Sequence, residues 1–596
     1  MSDPAYSSPS ENLREKLTKE RRFRRFRMLE AIVGQFSSLE RLLLYAFVIA
    51  LGASAFTLLA GVNAAVSVTT PAHGGALVEG EVGPARFVNP ILTLSQPDED
   101  LSMLVYSGLM RALPDGSYIP DLASSYDISS DGTIYTFHIR PDATFHDGTP
   151  LTAADVVFTI QLAQNAAIKS PRRADWEGVQ VSTPDPRTVV FHLPHAYAPF
   201  MENATLGILP KHLWENVSPE EFPFSPLNTH PVGSGPYRLS GFETDSTGSA
   251  TRYDLVPFQK FAGGAPYLSH ITLLFYPNQS AMIQAFNDKK IDAIAGISSE
   301  ELPLLTRKDT SVLRVPLPRT FGIFFNQNHS QVLADQSVRA ALDAALNKRA
   351  LVENVLNGYA VPLESAIPPG VLREAPAPAS IASTSAAHAD SARAILSKAG
   401  WTLSTTSSAW TKSGGKGKPD QVLSFTLATG DEPELVATAN AVAADWRAAG
   451  INVKVQVYPL SELNSGVIRP RNYDAILFGE VVGRSADVFA FWHSSQRNDP
   501  GLNLAMYANA KTDALLSEAR ATSDVHQREK LYAQFAEIIA KDRPAIFLYA
   551  PDFIYVVPTS LRGVALGALS TPAERFLNVR EWYTDTERIW SIFSNQ

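Results

Sequence analysis

Residues 422–457 read VLSFTLATGDEPELVATANAVAADWRAAGINVKVQV, and the periodicity changes twice along them. Val422–Ala428 is rich in apolar and β-branched residues, which predicts a strand. Glu434–Ala449 is Ala-rich and predicts a helix, stopped at Gly450, a residue free to take the left-handed cap. Ile451, Val453, Val455 and Val457 then alternate with polar residues along a second strand. Strand, helix and strand joined by short connections make a βαβ crossover. The fold class is therefore α/β, with a parallel sheet covered by helices.

The same reading extends outward. Asp335–Gly358 and Ser391–Gly400 are expected to be helices, as are Lys511–Arg520 and Gln527–Lys541, the last followed by a strand at Ala545–Tyr549. Tyr135, Phe137 and Ile139 alternate with Thr136, His138 and Arg140, a strand with one buried face. Asp147-Gly148 makes a turn, and Thr152 caps a helix whose third position is Asp155, close to a capping box. Thr188–Leu193 reads as a strand. Ala375–Ser385 (APAPASIASTS) and Ser404–Lys418 are polar or rich in Pro and Gly and read as surface loops. No internal repeat is visible.

Residues 42–62, LLLYAFVIALGASAFTLLAGV, are 21 residues without a charge, long enough for a helix to cross a bilayer. RRFRRFR at 21–27 precedes them, and a basic flank of this kind stays in the cytoplasm. The remainder is then extracytoplasmic, periplasmic or on the cell surface. A tail of residues 1–41 is longer than the charged start of a secretory signal, which favours an uncleaved, single-pass anchor. Against that, Val62-Asn63-Ala64-Ala65 offers small residues to a signal peptidase. Ser10–Arg27 reads either as a helix lying on the membrane or as a disordered basic tail. Residues 63–74 read as a linker.

Net charge is −9, which argues against a nucleic-acid partner. There is no cysteine, so disulfides, thiolate metal sites and Cys nucleophiles are excluded together. His192 and His195 flank Leu193-Pro194 and read as a strand end. GGKGK at 414–418 lacks the Ser/Thr and first Gly of a phosphate loop. Around Ser234 the Gly-x-Ser-x-Gly spacing is not met. No cofactor, metal or catalytic residue is expected, and the chain does not read as an enzyme.

Four segments in order carry a resemblance. They are YSGLMRALPDG continuing through PDLASSYDISSDGTIYTFHIRPDATFHDGTPLT (106–152), PVGSGPYRL (231–239), FFNQN with ADQSVRAALDAALNKRALVENVLNGYAVP (324–362), and YANAKTDALLSEAR with REKLYAQFAEIIAKDRPAIFLYAP (507–551). The chain resembles the family 5 extracellular solute-binding proteins, the oligopeptide, dipeptide and nickel receptors of ABC importers. The resemblance implies a bilobed periplasmic-binding-protein-like fold that closes on its ligand by hinge motion. Lobe I would comprise 75–112, 231–320 and 550–596, with an extra domain at 113–230, and lobe II would be 321–549. Partners would be a peptide or other small solute, permease subunits with cytosolic ATPases, and the membrane through 42–62. A tethered sensor or peptide-binding chaperone without transport is the alternative.

The resemblance also implies site residues. Ser170–Trp176 and Tyr458–Val482 would face the cleft, making Trp176 and Tyr458 wall candidates, joined by Trp492 and His493. In the oligopeptide receptors an Arg and, six residues on, an Asp follow the strand matching Tyr473–Phe478, and the Asp pairs with the peptide's amino terminus. Leu477 and Gly483 stand there, with Glu480 in place of a Trp. Arg484 and Asp487 are near enough to substitute, and Glu480 would either meet a cationic ligand or face solvent.

Overall fold

The computed structural model describes residues 32–368, 385–404, 409–415 and 419–590. The basic stretch at 10–27, most of the 375–385 loop and the end of the GGKGK run lie outside the described residues.

Two compact units divide the chain. The first holds the apolar helix, Ser38–Val66, 29 residues with none buried. Ser37 and Glu40 close a capping box at its start. The chain then enters a strand, Ser67–Pro71, which pairs with Thr586–Trp590. The indole Nε1 of Trp590 donates to Asn63 Oδ1 at 2.7 Å. Of the expected linker at 63–74, residues 63–66 end the helix, 67–71 form the paired strand, and 72–73 lead into strand Gly74–Val82.

The second unit is organised by a twelve-stranded sheet. At one edge lies the βαβ crossover: Ser424–Gly430, helix Pro433–Ala448 and Asn452–Tyr458, paired in parallel from Ser424↔Asn452 to Gly430↔Tyr458. The helix buries Ala439, Val442, Ala443 and Trp446. Gly450 sits at φ +82, where a Cβ would crowd Leu403 at 3.1 Å and Trp410 at 3.2 Å. Trp410 is buried inside a small three-stranded sheet, so part of the expected 404–418 loop is structured. The expected helix at 335–358 is two helices, Gln336–Ala344 and Lys348–Val355, the second capped by the Asn347 side chain.

Ala545–Pro558 is the longest strand, 14 residues, and runs past the expected end at Tyr549. Its first half pairs with Arg319–Phe325 and its second half with Thr310–Pro316. Pro551 is tolerated because it stands where the partner changes, and its carbonyl accepts from the Leu317 N–H at 2.9 Å. The hydrophobic cores divide at the same place. Phe325, Trp446 and Tyr549 belong to one cluster and Phe324, Trp492 and Phe547 to another, on the lobe II side. Leu77, Phe137, Phe191, Phe553 and Trp582 belong to a third, on the lobe I side. Two adjacent strands therefore connect two separately packed lobes, the geometry of a hinge. The antiparallel sheet of 123–128, 134–139, 188–192 and 180–185 has no core of its own; it shares lobe I's.

Two of the quoted motifs meet in lobe I. Gly233 and Gly235 press against the end of helix Gln96–Val105, where a Cβ would come within 2.0 Å of the Val105 carbonyl oxygen and 2.6 Å of its carbon. His146 locks this contact: its Nε2 lies 3.1 Å from the Gly235 carbonyl oxygen, and its Nδ1 accepts from the Gly233 N–H. One donor and one acceptor require a neutral ring, and burial pushes its pKa down to about 4. A depressed histidine stabilises the fold above its unfolded value of 6.5 and loses that contribution as pH falls toward 4. We expect about 3 kcal/mol to be lost across that window. His146→Asn, compared with wild type by urea denaturation at pH 7 and pH 4.5, should show a shallower pH dependence; equal slopes would refute this.

Candidate functional site

The lobes meet along residues 481–487, which follow strand Ala475–Val481, and two chambers flank that segment. One, of about 660 Å³, is walled mainly by apolar and tyrosine side chains such as Tyr126, Tyr135, Met201 and Val525. The other, of about 440 Å³, takes Glu99 from helix Gln96–Val105, Trp176 and Glu202 from the 113–230 segment, Val481–Gly483 and Asp487 from lobe II, and Ser570, Thr571, Ala573 and Glu574 from the C-terminal region. Ser485 touches both.

Charged groups cross between the lobes here. Arg484 donates to the Leu113 carbonyl at 2.9 Å and to Glu574 at 2.5 Å, with its side chain almost fully buried. Arg520 grips Asp487 at 2.7 Å and lies over the Phe489 ring at 4.0 Å. Tyr197, from the 113–230 segment, donates to Asp487 at 3.5 Å. The Arg484 contacts and the Tyr197–Asp487 contact cross between the lobes, whereas Arg520 holds Asp487 from within lobe II; such charge-assisted contacts are directional and fix the register of the two lobes.

Of the residues chosen from sequence, Trp176, Arg484 and Asp487 are at the chambers. Trp176 is mostly core, packing on Phe191 and Phe200 with centroids 5.8 Å away, and shows one edge to the smaller chamber. Tyr458, Glu480, Trp492 and His493 line neither chamber. Tyr458 closes its strand and donates to Gln456 at 3.2 Å. His493 stacks on Phe489 at 4.1 Å and engages Ser495. Trp492 is fully buried among Phe324, Tyr507, Phe535 and Phe547. Glu480 neither meets the cleft nor faces solvent. It alternates in step with Ile476 and Phe478, so it points into the core, 2 % exposed with neither oxygen hydrogen-bonded. Burial drives its pKa well above the ordinary carboxyl value. Glu99, Glu202, Ser570 and Glu574 were not anticipated, because three distant segments supply them and no local pattern marks them.

The model described as bacterial extracellular solute-binding proteins, family 5 Middle, matches residues 117–501, more than half of the chain. The chain belongs to this family. The oligopeptide-binding protein AppA of Bacillus subtilis is 26% identical over 530 residues, covering 87% of this chain and 94% of AppA. AppA's structure with a nonapeptide superposes with a TM-score of 0.63, covering 86% of this family 5 chain and 99% of AppA. The glutathione-binding protein GsiB of Pectobacterium atrosepticum is 28% identical over 473 residues, 77% of this chain and 85% of GsiB. NikZ of Campylobacter jejuni, solved with Ni(L-His), is 27% identical with a TM-score of 0.65, covering 85% of this chain and 99% of NikZ. Family 5 members are substrate-binding receptors of ABC transporters. The bilobed α/β fold is common to them and this chain.

Proposed function

We propose that this chain is a single-pass, membrane-anchored receptor of an ABC importer. It shuts two lobes around a peptide or related amino-acid-derived solute and hands it to permease subunits driven by cytosolic ATPases. The observation that carries the reading is a pair of chambers enclosed between two separately packed lobes that two adjacent strands connect. Three relatives, named for an oligopeptide, glutathione and Ni(L-His), share amino-acid-derived ligands, which supports that solute class. The uncharged stretch 42–62 within helix Ser38–Val66 supports anchoring, and Asn63 and Ala64 remain helical and engaged by Trp590 and Arg588, which favours retention over cleavage.

Native mass spectrometry of the full chain in detergent tests this. Mixed short peptides released from the purified protein would support it, and one defined non-peptide molecule would overturn the peptide assignment. The intact mass reads the anchor directly: loss of the first 64 or 65 residues would refute anchoring.

A further inference from the structure

The smaller chamber carries more carboxylates than it can neutralise. Five acids line it: Glu99, Asp175, Glu202, Asp487 and Glu574; two arginines do, Arg172 and Arg520. Arg520 is committed to Asp487, Arg172 stands 3.9 Å from Asp175, and Glu574 is taken by Arg484. Glu99 and Glu202 remain, and among the described residues neither forms an ion pair. Burial raises the pKa of both; at Glu99 the more distant Arg172 and Arg319 oppose this, and at Glu202 the negative Glu574 adds to it while the Ser485 hydroxyl and Arg484 oppose it, so a cation placed between them would favour their ionised forms.

Space is left beside Glu202. Gly483, at φ +72, presents bare backbone, and the only atom within 4 Å of where its Cβ would be is Glu202 Oε1 at 3.9 Å. Ser570 lines the same chamber, is 8 % exposed, and its hydroxyl makes no hydrogen bond. A buried polar atom without a partner costs about 1–3 kcal/mol, and a ligand that supplies one recovers it. The described residues contain no group of three or more His, Asp or Glu side chains placed to hold a metal ion. What fits is therefore an organic cation with several N–H donors.

We propose that this chamber is a cation subsite, in which Glu202, with Glu99 and the Ser570 hydroxyl, receives an ammonium or guanidinium group of the ligand. The inference rests on the receptor reading and narrows its substrate class: the solute must carry a positive nitrogen. That nitrogen is a peptide's amino terminus, a basic side chain, or the amine of a polyamine, and the test separates these sources.

The full chain in detergent would be presented with an equimolar random tripeptide mixture, the same mixture N-acetylated, N-acetylated peptides containing one Lys or Arg, and spermidine. Retention is read by native mass spectrometry for wild type, Glu202→Gln, Glu99→Gln and the exposed control Glu220→Gln, each first checked for an unchanged melting midpoint. Wild type and Glu220→Gln should hold only probes bearing a positive nitrogen, and Glu202→Gln should hold them about tenfold or more weakly, as for loss of a buried charge-assisted contact. Retention of acetylated peptides lacking Lys and Arg as readily as free ones, or undiminished binding by Glu202→Gln and Glu99→Gln, would overturn the subsite while leaving the receptor reading intact. If no probe is held, both fall.

Discussion

Arg575→Met is expected to destabilise the protein by about 3–5 kcal/mol, the usual consequence of removing one member of a buried ionic network. Arg575 is wholly buried in lobe I. Its guanidinium bridges Asp100 at 2.6 Å and Glu79 at 2.8 Å, and donates to the Pro572 carbonyl at 3.0 Å. It also lies over the Phe576 ring at 4.1 Å. Tyr555 completes the shell by donating to Glu79 at 2.8 Å. Glu81 is buried 3.7 Å from the same cation, and burial together with the negative Asp100 pushes its pKa well above the carboxylate range. One cation thus serves three buried carboxyl groups. Without it Glu79 and Asp100 would be left charged in a low dielectric, whereas Met fills the volume and changes little else. Arg575→Lys keeps the charge but not the planar fork and should lie between the two. Urea denaturation of the full chain in detergent measures all three; a loss below about 1 kcal/mol for Arg575→Met would show that the network is not what holds strand Gly74–Val82 to the C-terminal segment.

How much of this could be read from sequence depended on whether a feature was local. The crossover at 422–457 was legible because each element has its own period and Gly450 marks the turn. The capping box at Thr152 and Asp155 was legible for the same reason. The long hinge strand is read short because a proline reads as an ending, although Pro551 stands where hydrogen-bonding partners change and no N–H donor is needed. Trp410 was hidden by polar neighbours that give its segment the composition of a loop. At the site, Arg484 lay on the cleft segment itself. Glu480, four residues earlier, belongs to a strand covered on both faces, and such a strand gives no polar alternation to say which side meets ligand. Glu99, Glu202 and Ser570 come together only through the fold, so no spacing in the sequence could pair them.

Trp492→Ala is the second large effect, and it separates a core role from a wall role. Deleting a fully buried Trp side chain costs about 3–5 kcal/mol when the surroundings cannot collapse into the space. Here they cannot readily do so, because the indole is packed by Phe324 from the hinge-side strand, Phe547 from the long strand, Tyr507, and Phe535 from helix Val525–Asp542. Trp492→Phe keeps most of the apolar contact and should lose markedly less. Neither chamber is lined by Trp492, so whatever fraction of Trp492→Ala remains folded at low temperature should retain the tripeptide probes as wild type does. Denaturation midpoints and probe retention, measured on the same preparations, decide between the roles. A Trp492→Ala protein of undiminished stability that no longer held its probes would return this residue to the cleft wall and displace the core packing described for lobe II.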